Sequence, residues 1–244
     1  MSPVGINLEK VSVDGVDTSN RSLSLRKVLL RRGHFQSYDI PILRNIDFKA
    51  KPGDRIGIIG RNGSGKSSLL KAIAGIYPIS SGKRYVNGTI APLIEMGIGF
   101  DPEMSGRQNI KAGLLYSGRI EDYSADLENQ IIEFSELSDS IDQPLKNYSS
   151  GMVSRLAFST AIFQNPDILL LDEVFAAGDI GFVNKSTLFM KEKLKSVPIS
   201  ILVNHASAQI VEMCNLCYWL EKGNVVLVGP PNEVVTAYEK QIGG

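Results

Sequence analysis

The sequence lacks an excess of charge of either sign, and it has no long run of apolar residues. Its 244 residues include 26 Lys plus Arg and 26 Asp plus Glu, which leaves a formal net charge of zero. This balance argues against a protein that coats nucleic acid through positive charge. No stretch approaches the roughly 18 apolar residues of a membrane-spanning helix, and the N-terminus has neither the basic nor the apolar region of a signal peptide. These absences favour a soluble, cytoplasmic protein.

Cysteine is almost absent as well, since Cys214 and Cys217 are the only two. They form a single C-x-x-C, whereas a structural zinc site normally needs four ligands. Two ordinary thiols in a reducing compartment are the favoured interpretation, with a redox pair as the alternative.

The sequence does have the composition of a globular protein, with 43% hydrophobic and 21% charged residues. A chain of this length can bury roughly 70–75% of its unfolded surface, and it fits one large domain. Strands that alternate with helices indicate an α/β fold with a mainly helical insertion in the middle. The predicted strands are 4–13, 42–50, 55–59, 167–171, 199–203 and a hairpin at 216–228, and the predicted helices are 25–32, 66–75, most of 105–160 and 231–241.

A phosphate-binding sequence lies between a predicted strand and a predicted helix. Residues 60–67 match G-x-x-x-x-G-K-[ST], which a chain of this length would contain by chance with a probability of ~1%. Glycines let backbone N–H groups approach a phosphate, and the positive end of the following helix faces the anion. Lys66 is expected to reach the β- and γ-phosphates and the Ser67 hydroxyl to bind Mg²⁺, with a glycine-rich turn as the alternative. The residues expected to contact the nucleotide here are Gly60, Arg61, Asn62, Gly63, Ser64, Gly65, Lys66, Ser67 and Ser68.

An acidic pair follows the apolar run at 167–171. Asp172 is expected to hold Mg²⁺ through water, and Glu173 is expected to orient and deprotonate an attacking water. An acidic helix cap after a strand is the alternative interpretation, which the phosphate-binding sequence upstream disfavours.

With these motifs in their order, the chain resembles the nucleotide-binding ATPase subunit of ABC transporters from about residue 4 to 240. The sequence Tyr148-Ser149-Ser150-Gly151-Met152 stands where that family has its signature, and Ala176-Ala177-Gly178-Asp179 stands where it has the D-loop. His205 matches the family's switch histidine. The resemblance implies a P-loop ABC ATPase fold of the α/β class. Its parts would be a RecA-like, mostly parallel core sheet, an N-terminal antiparallel β part and an inserted helical subdomain.

The resemblance also implies the extent of the domain and the composition of the site. One ABC ATPase domain is expected over 1–244, with the helical subdomain at about 104–165 and no C-terminal carbohydrate-binding domain. Two subunits would close around ATP and Mg²⁺, so that Ser149, Ser150 and Gly151 of one subunit bind the γ-phosphate held by the other.

The expected catalytic set is Lys66, Glu173 and His205, with His205 positioning Glu173 and the attacking water. Asp179 is expected to act across the dimer. Taken singly, His205 is more typical of a structural residue and Asp179 of a capping acid. Only their places in the ordered set of motifs favour roles in the site.

Two departures from the family pattern concern the signature and the magnesium ligands. Ser150 replaces a glycine and Met152 replaces a glutamine. The loop that joins the core to the helical subdomain has no glutamine to offer to Mg²⁺. Glu95 is the nearest oxygen ligand and is assigned to the metal, although counting back from Pro102 puts Met96 in that place.

A third departure concerns adenine. The family stacks an aromatic side chain on the base from a loop that corresponds to Val13, Asp14 and Gly15, none of which is aromatic. Stacking by Phe35 or Tyr38, packing of these two rings within a loop, and an absence of stacking stay open.

The signature, the segment 97–110 and the segment 172–179 resemble the polysaccharide-exporting members, which export lipid-linked O antigen or teichoic acid. The basic stretch 25–32 resembles an extra helix near the membrane face of those proteins, with a solvated surface helix as the alternative. This branch implies a homodimer at the cytoplasmic face of the inner membrane, two ABC-2-type permease subunits, an undecaprenyl-linked glycan as indirect cargo, and no nucleic acid. The alternatives are an exporter of a drug, lipid or other small molecule, and a soluble ABC protein that acts on ribosomes or DNA.

Overall fold

The computed structural model of the chain describes residues 3–16, 39–94, 99–117, 120–172, 179–204 and 206–242. Some residues and segments singled out in the sequence lie outside these ranges. They are the basic stretch 25–32, Phe35 and Tyr38, Glu95 and Met96, Glu173 with residues 176–178, and His205.

The N-terminal part contains an antiparallel sheet of three strands. They are β1 (Gly5–Val16), β2 (Asp39–Ala50) and β4 (Ser81–Asn87), in the order β2-β1-β4. Along β1 the buried residues change from even positions such as Leu8 to odd positions such as Val11. The pairing register shifts between these two residues, where Lys10 has a left-handed φ of 49°. A bulge of this kind re-aims the side chains that follow it, so the apolar face stays inward.

The second sheet forms the core. Its strands are β3 (Arg55–Ile59), β5 (Ile90–Leu93), β6 (Ile168–Asp172), β7 (Ile199–Val203), β8 (Leu216–Glu221) and β9 (Asn224–Gly229). Their order is β5-β6-β7-β3-β8-β9, and only β9 runs antiparallel to its neighbour. The predicted RecA-like, mostly parallel core sheet is confirmed.

Both faces of the core sheet are covered, which explains the continuous apolar runs in its strands. Ile168 and Leu170 pack with the antiparallel sheet and with helix α1 (Lys66–Ala74). Leu169 and Leu171 point to the opposite face and pack with the helices there. Helix α1 ends at Gly75, which has a left-handed φ of 78° as the predicted C-cap.

Three helices are inserted between β5 and β6. They are α2 (Gly106–Tyr116), α3 (Ala125–Ser135) and α4 (Ser150–Ile162), accompanied by short 3₁₀ turns at Ile120–Asp122 and Leu145–Asn147. A serine caps each helix, because the hydroxyls of Ser105, Ser124 and Ser149 accept a hydrogen bond from the backbone N–H three residues later. The helices share an apolar cluster of their own, made of Ile110, Leu114, Ile131, Ile132, Leu137, Ile141, Leu145 and Leu156.

The described residues contain three further helices, α5 (Ile180–Ser196), α6 (Ser207–Met213) and α7 (Pro231–Ile242). Phenylalanines join the inserted helices to α5: the Phe134 ring lies 5.8 Å from Phe182 and 4.9 Å from Phe189, centroid to centroid. No helix in the described ranges is long and apolar enough to cross a membrane.

The sequence located most of these elements. The strand at 55–59, the strand at 199–203, the hairpin and the last helix are confirmed within a residue or two at each end. Strands β4 and β5 were not predicted from the sequence. Ser81–Asn87 is mostly polar and mostly exposed, because β4 is an edge strand, and Ile90–Leu93 is too short to show a period.

Candidate functional site

The site lies at the carboxyl edge of the core sheet. Strands β3, β7 and β6 are parallel neighbours, and Val203 in the middle strand pairs with both Ile58 and Asp172. The phosphate loop leaves β3 directly after Ile59, and Asp172 ends β6. The topology therefore brings the loop and the first acid of the predicted pair to the same edge, as expected for ligand binding in an open α/β sheet.

Two glycines of the phosphate loop are required by its geometry. Gly60 has a φ of 151°, and a Cβ built there would lie 2.2 Å from the carbonyl oxygen of Leu220. Gly65 has a φ of 104° and stands as the N-cap of α1. Side chains are strained in this backbone region, so glycine lets the loop turn sharply into the helix.

Lys66 folds back into the loop that precedes it. Its side chain is buried, and its ammonium donates to the carbonyl oxygens of Gly60 at 2.9 Å and Arg61 at 3.1 Å. The positive charge is thereby held inside the ring of the loop, with Arg61, Asn62 and Gly63 exposed at its tip.

Two observations indicate that the loop suits a phosphate. Gly65 has no side chain to cap α1, and no side chain of the described residues caps its first-turn N–H groups. The Ser64 hydroxyl is buried and has no hydrogen-bond partner among the described residues. An anion at this helix terminus would satisfy both kinds of donor.

The residues at this edge also include oxygen donors of the kind that Mg²⁺ prefers. Ser67 lies exposed in the first turn of α1, Ser68 beside it is half-buried, and Asp172 is half-buried at the end of β6. The donor set therefore fits Mg²⁺. Glu95, the third predicted ligand, lies outside the described ranges, as do Glu173 and His205.

The head of helix α4 carries the signature residues. The hydroxyl of Ser149 accepts from the Met152 N–H at 3.2 Å, Ser149 and Ser150 are exposed, and Gly151 follows in the first turn. Tyr148 precedes this helix terminus, and its hydroxyl donates to the Ser140 carbonyl at 2.6 Å. Burial raises the pKa of Tyr148, so the phenol stays a neutral donor.

Asp179 stands at the start of α5 as its N-cap. One oxygen, Oδ1, accepts from the Phe182 N–H at 3.0 Å, and the other, Oδ2, lies 3.5 Å from Nη1 of Arg155. The backbone hydrogen bond from Phe182, followed by the charge of Arg155, lowers the pKa of Asp179. Asp179 is thus a capping acid, and it also contacts the signature helix.

Neither Arg155 nor Glu136 was predicted from the sequence, and the Glu136 carboxylate lies 3.5 Å from the same Arg155 nitrogen. A signal for Arg155 was present, because it follows Gly151 by four residues and so shares its helical face. No local pattern points to Glu136.

The loop that corresponds to the family's adenine contact lies in the antiparallel sheet. Val13 is buried there opposite Leu43, while Asp14 is exposed. Val13 therefore serves the core, and neither residue offers a ring to a base.

Residues 43–176 match the family described as ABC transporter. The O-antigen export system ATP-binding protein RfbB of Myxococcus xanthus is 41% identical over 239 residues, which cover 97% of this chain and 54% of the relative. The teichoic acids export ATP-binding protein TagH of Lactococcus lactis subsp. lactis is 41% identical over 202 residues, which cover 83% of this chain and 43% of the relative. The chain spans about half the length of these two relatives.

Solved structures resemble the fold over nearly all of the chain. One is described as the structure of an ATP-binding subunit of an ABC transporter, with a TM-score of 0.71, 18% identity, and coverage of 98% of this chain and 93% of the other. A second is a dimeric post-hydrolysis state of an ATP-binding cassette bound to ADP and Pi, with a TM-score of 0.70, 18% identity, and coverage of 93% and 98%.

Proposed function

The chain belongs to the ABC transporter family, and we propose that it is the ATP-binding and ATP-hydrolysing subunit of an exporter of lipid-linked cell-envelope glycan. The ATPase part rests on the start of α1, which has no side-chain cap and lies beside the buried, unpartnered Ser64 hydroxyl. The cargo is supported by relatives of about 40% identity that are named as O-antigen and teichoic acid exporters. One ABC ATPase domain extends over 1–244, with a helical subdomain at about 104–165.

The phosphate loop binds the β- and γ-phosphates of ATP. Backbone N–H groups of residues 60–68 surround the phosphates. The Lys66 ammonium gives up its hydrogen bonds to the loop carbonyl oxygens and donates to phosphate oxygens instead. Charge that develops on the transferred phosphate is stabilised by these fixed donors.

Ser67, Asp172 and, through the loop after β5, Glu95 would hold Mg²⁺, which when bound would neutralise part of the phosphate charge. Glu173 accepts the proton of the attacking water, and His205 holds Glu173 and that water in place.

Two copies of the chain complete two sites. The heads of their α4 helices, with Ser149, Ser150 and Gly151, donate to the γ-phosphate held by the other copy, and Asp179 contacts the partner beside it. The dimer associates with two membrane-embedded permease subunits at the cytoplasmic face of the inner membrane. The glycan is carried by the permease on an undecaprenyl lipid.

The ATPase proposal is tested with Glu173→Gln. This change keeps the size of the side chain and removes the base, so the variant is expected to bind ATP and stay in a closed dimer by size-exclusion chromatography with light scattering. Lys66→Ala is the control, because it is expected to lose ATP affinity and to stay a monomer. Normal ATP hydrolysis by Glu173→Gln would show that Glu173 is not the base.

The cargo proposal is tested by depletion of the chain in its own cell. Lipid-linked glycan is expected to accumulate on the cytoplasmic side of the membrane and to disappear from the surface. Restoration by wild type, and not by Glu173→Gln, ties export to hydrolysis. Unchanged surface glycan with loss of another exported compound would support the small-molecule alternative.

A further inference from the structure

Arg155 connects two elements of the nucleotide site that are far apart in sequence. It lies four residues after Gly151 on α4, so it shares the helical face of the signature. Its Nη1 atom is 3.5 Å from Oδ2 of Asp179 and 3.5 Å from Oε2 of Glu136. Its side chain is only 19% exposed, because the guanidinium also lies over the Phe182 ring, 5.8 Å from the centroid.

Arg155 contacts the carboxylate oxygen of Asp179 that does not cap helix α5. Oδ1 is occupied by the Phe182 N–H, and Oδ2 faces Arg155. The carboxylate is therefore held from two sides, by its own helix α5 and by the signature helix.

Glu136 holds Arg155 in turn. It ends α3 with a left-handed φ of 59°, which is uncommon for a residue other than glycine. Its carboxylate lies 2.8 Å from the Lys185 ammonium on α5, and that ammonium also donates to the Phe134 carbonyl at 3.0 Å. The four charged groups thus connect the ends of α3, α4 and α5.

We propose that Arg155 is a positioning residue that keeps Asp179 in register with the head of the signature helix, so that both reach the partner subunit's nucleotide together. The inference rests on the proposed function, because it concerns a site that two subunits share. Asp179 and the signature belong to segments separated by the whole of β6, and no backbone hydrogen bond among the described residues joins one to the other. An ion pair this exposed on the Asp179 side contributes little to the free energy of unfolding. Its effect on position can therefore be measured apart from stability.

A double-mutant cycle with Arg155→Gln and Asp179→Asn tests the link. Asparagine caps a helix as well as aspartate does, so Asp179→Asn removes the charge and keeps the cap. Each single change is expected to lower kcat about tenfold, and the double variant is expected to be no slower than the slower single variant. The KM for ATP is expected to stay within about twofold and the thermal midpoint within about 2 °C. Arg155→Lys is expected to restore part of the loss.

Lys191→Gln is the matched control. Lys191 also lies on α5, but its ammonium pairs with Glu212 at 2.9 Å and does not belong to the four charged groups. Its loss leaves the contact between Arg155 and Asp179 in place, and kcat is expected to stay near that of wild type. Wild-type kcat in Arg155→Gln, or losses that multiply in the double variant, would overturn the inference.

A titration of the Asp179 carboxyl by NMR tests the link independently of ATP hydrolysis. Arg155→Gln is expected to raise the pKa of Asp179, and Lys191→Gln is expected to leave it unchanged. A pKa of Asp179 that does not respond to Arg155→Gln contradicts the inference. An inactive wild type, by contrast, contradicts the proposed function only.

Discussion

Asp172 and Ile58 lie level with each other across the core sheet, because each pairs with Val203 in the strand between them. Their strands are two strand spacings apart, or about 9–10 Å. The phosphate loop begins two residues after Ile58, so it leaves the sheet close to the height of the Asp172 carboxylate. The loop and Asp172 therefore lie at the same edge of the sheet, as the proposed magnesium site requires.

The proposed magnesium role of Asp172 predicts the effect of Asp172→Asn. The change removes a negative charge of nearly the same shape, so half-maximal ATPase activity is expected to need roughly ten- to hundredfold more Mg²⁺. The measurement is the ATPase rate against Mg²⁺ concentration, with Asp126→Asn on the exposed start of α3 as control. An unchanged Mg²⁺ requirement would remove Asp172 from the metal site.

The geometry of the phosphate loop predicts that two glycine substitutions lower the free energy of unfolding by different amounts. Gly60→Ala places a methyl group 2.2 Å from the Leu220 carbonyl oxygen, so the free energy of unfolding is expected to fall by about 2–3 kcal/mol. Gly63→Ala has the same kind of positive φ, 76°, but meets no atom within 4 Å, so about 1 kcal/mol is expected. Urea unfolding without nucleotide measures both, and equal losses would contradict the close approach of Gly60 to β8.

Asn109 predicts a stability loss at the entry to the helical insertion. It is fully buried, its Oδ1 accepts from the Asp101 N–H at 2.7 Å, and its Nδ2 contacts the carbonyl oxygens of Asp101, Met104 and Ser105 at 2.9–3.1 Å. Asn109→Ala removes the acceptor of the Asp101 N–H, whereas the three carbonyl oxygens each keep a backbone donor. A loss of about 1–3 kcal/mol is therefore expected in urea unfolding. The exposed Asn184→Ala is the control, expected within about 0.5 kcal/mol of wild type. A loss no larger than that of the control would show that water replaces the amide.

The ion pair of Arg107 and Asp142 predicts how stability depends on pH. Arg107 contacts both oxygens of Asp142, at 2.7 Å and 3.2 Å, and lowers the pKa of Asp142 below its usual value of 3.8. A lowered pKa in the folded state adds stability above pH 3.8, and this contribution is lost as the pH falls through the folded pKa.

Between pH 5 and the acid limit of folding, wild type is therefore expected to lose more stability than Asp142→Asn, as measured by urea midpoints. Asp139→Asn, at an exposed position, is expected to follow the wild-type slope. Parallel slopes for wild type and Asp142→Asn would show that the pair forms equally in the unfolded chain.

Burial of the two thiols predicts low reactivity. Cys217 is buried and Cys214 half-buried, and burial raises the pKa of each thiol to about 12. At pH 8 the thiolate fraction is then ~10⁻⁴, against roughly a quarter for a free thiol. Alkylation by iodoacetamide, followed by mass spectrometry, is expected to be about 10³-fold slower in the folded protein than in urea. Modification at the free-thiol rate would support the redox alternative.

The sequence located the strands of the core sheet because they are apolar on both faces, and it located the phosphate loop because its glycines and Lys66 are contiguous. Because it is buried on both faces, a run such as Ile199–Val203 has no polar residue except Ser200. Such a run can be recognised as a strand without knowledge of the strands that pair with it. β4 and β5 were missed for the opposite reason, since one is a polar edge strand and the other has four residues.

The sequence by itself determined the position and order of the predicted site residues that lie on contiguous motifs. These are the loop from Gly60 to Ser68, Asp172 at the end of its strand, and Ser149 at the head of α4. Each depends on neighbours within a turn of helix or a strand end, which the chain specifies locally. The tertiary structure alone decided that Asp172 stands level with Ile58, and that Arg155 lies between Asp179 and Glu136. These relationships join residues that are 19 to 114 positions apart along the chain, and only strand order and helix packing bring such residues together.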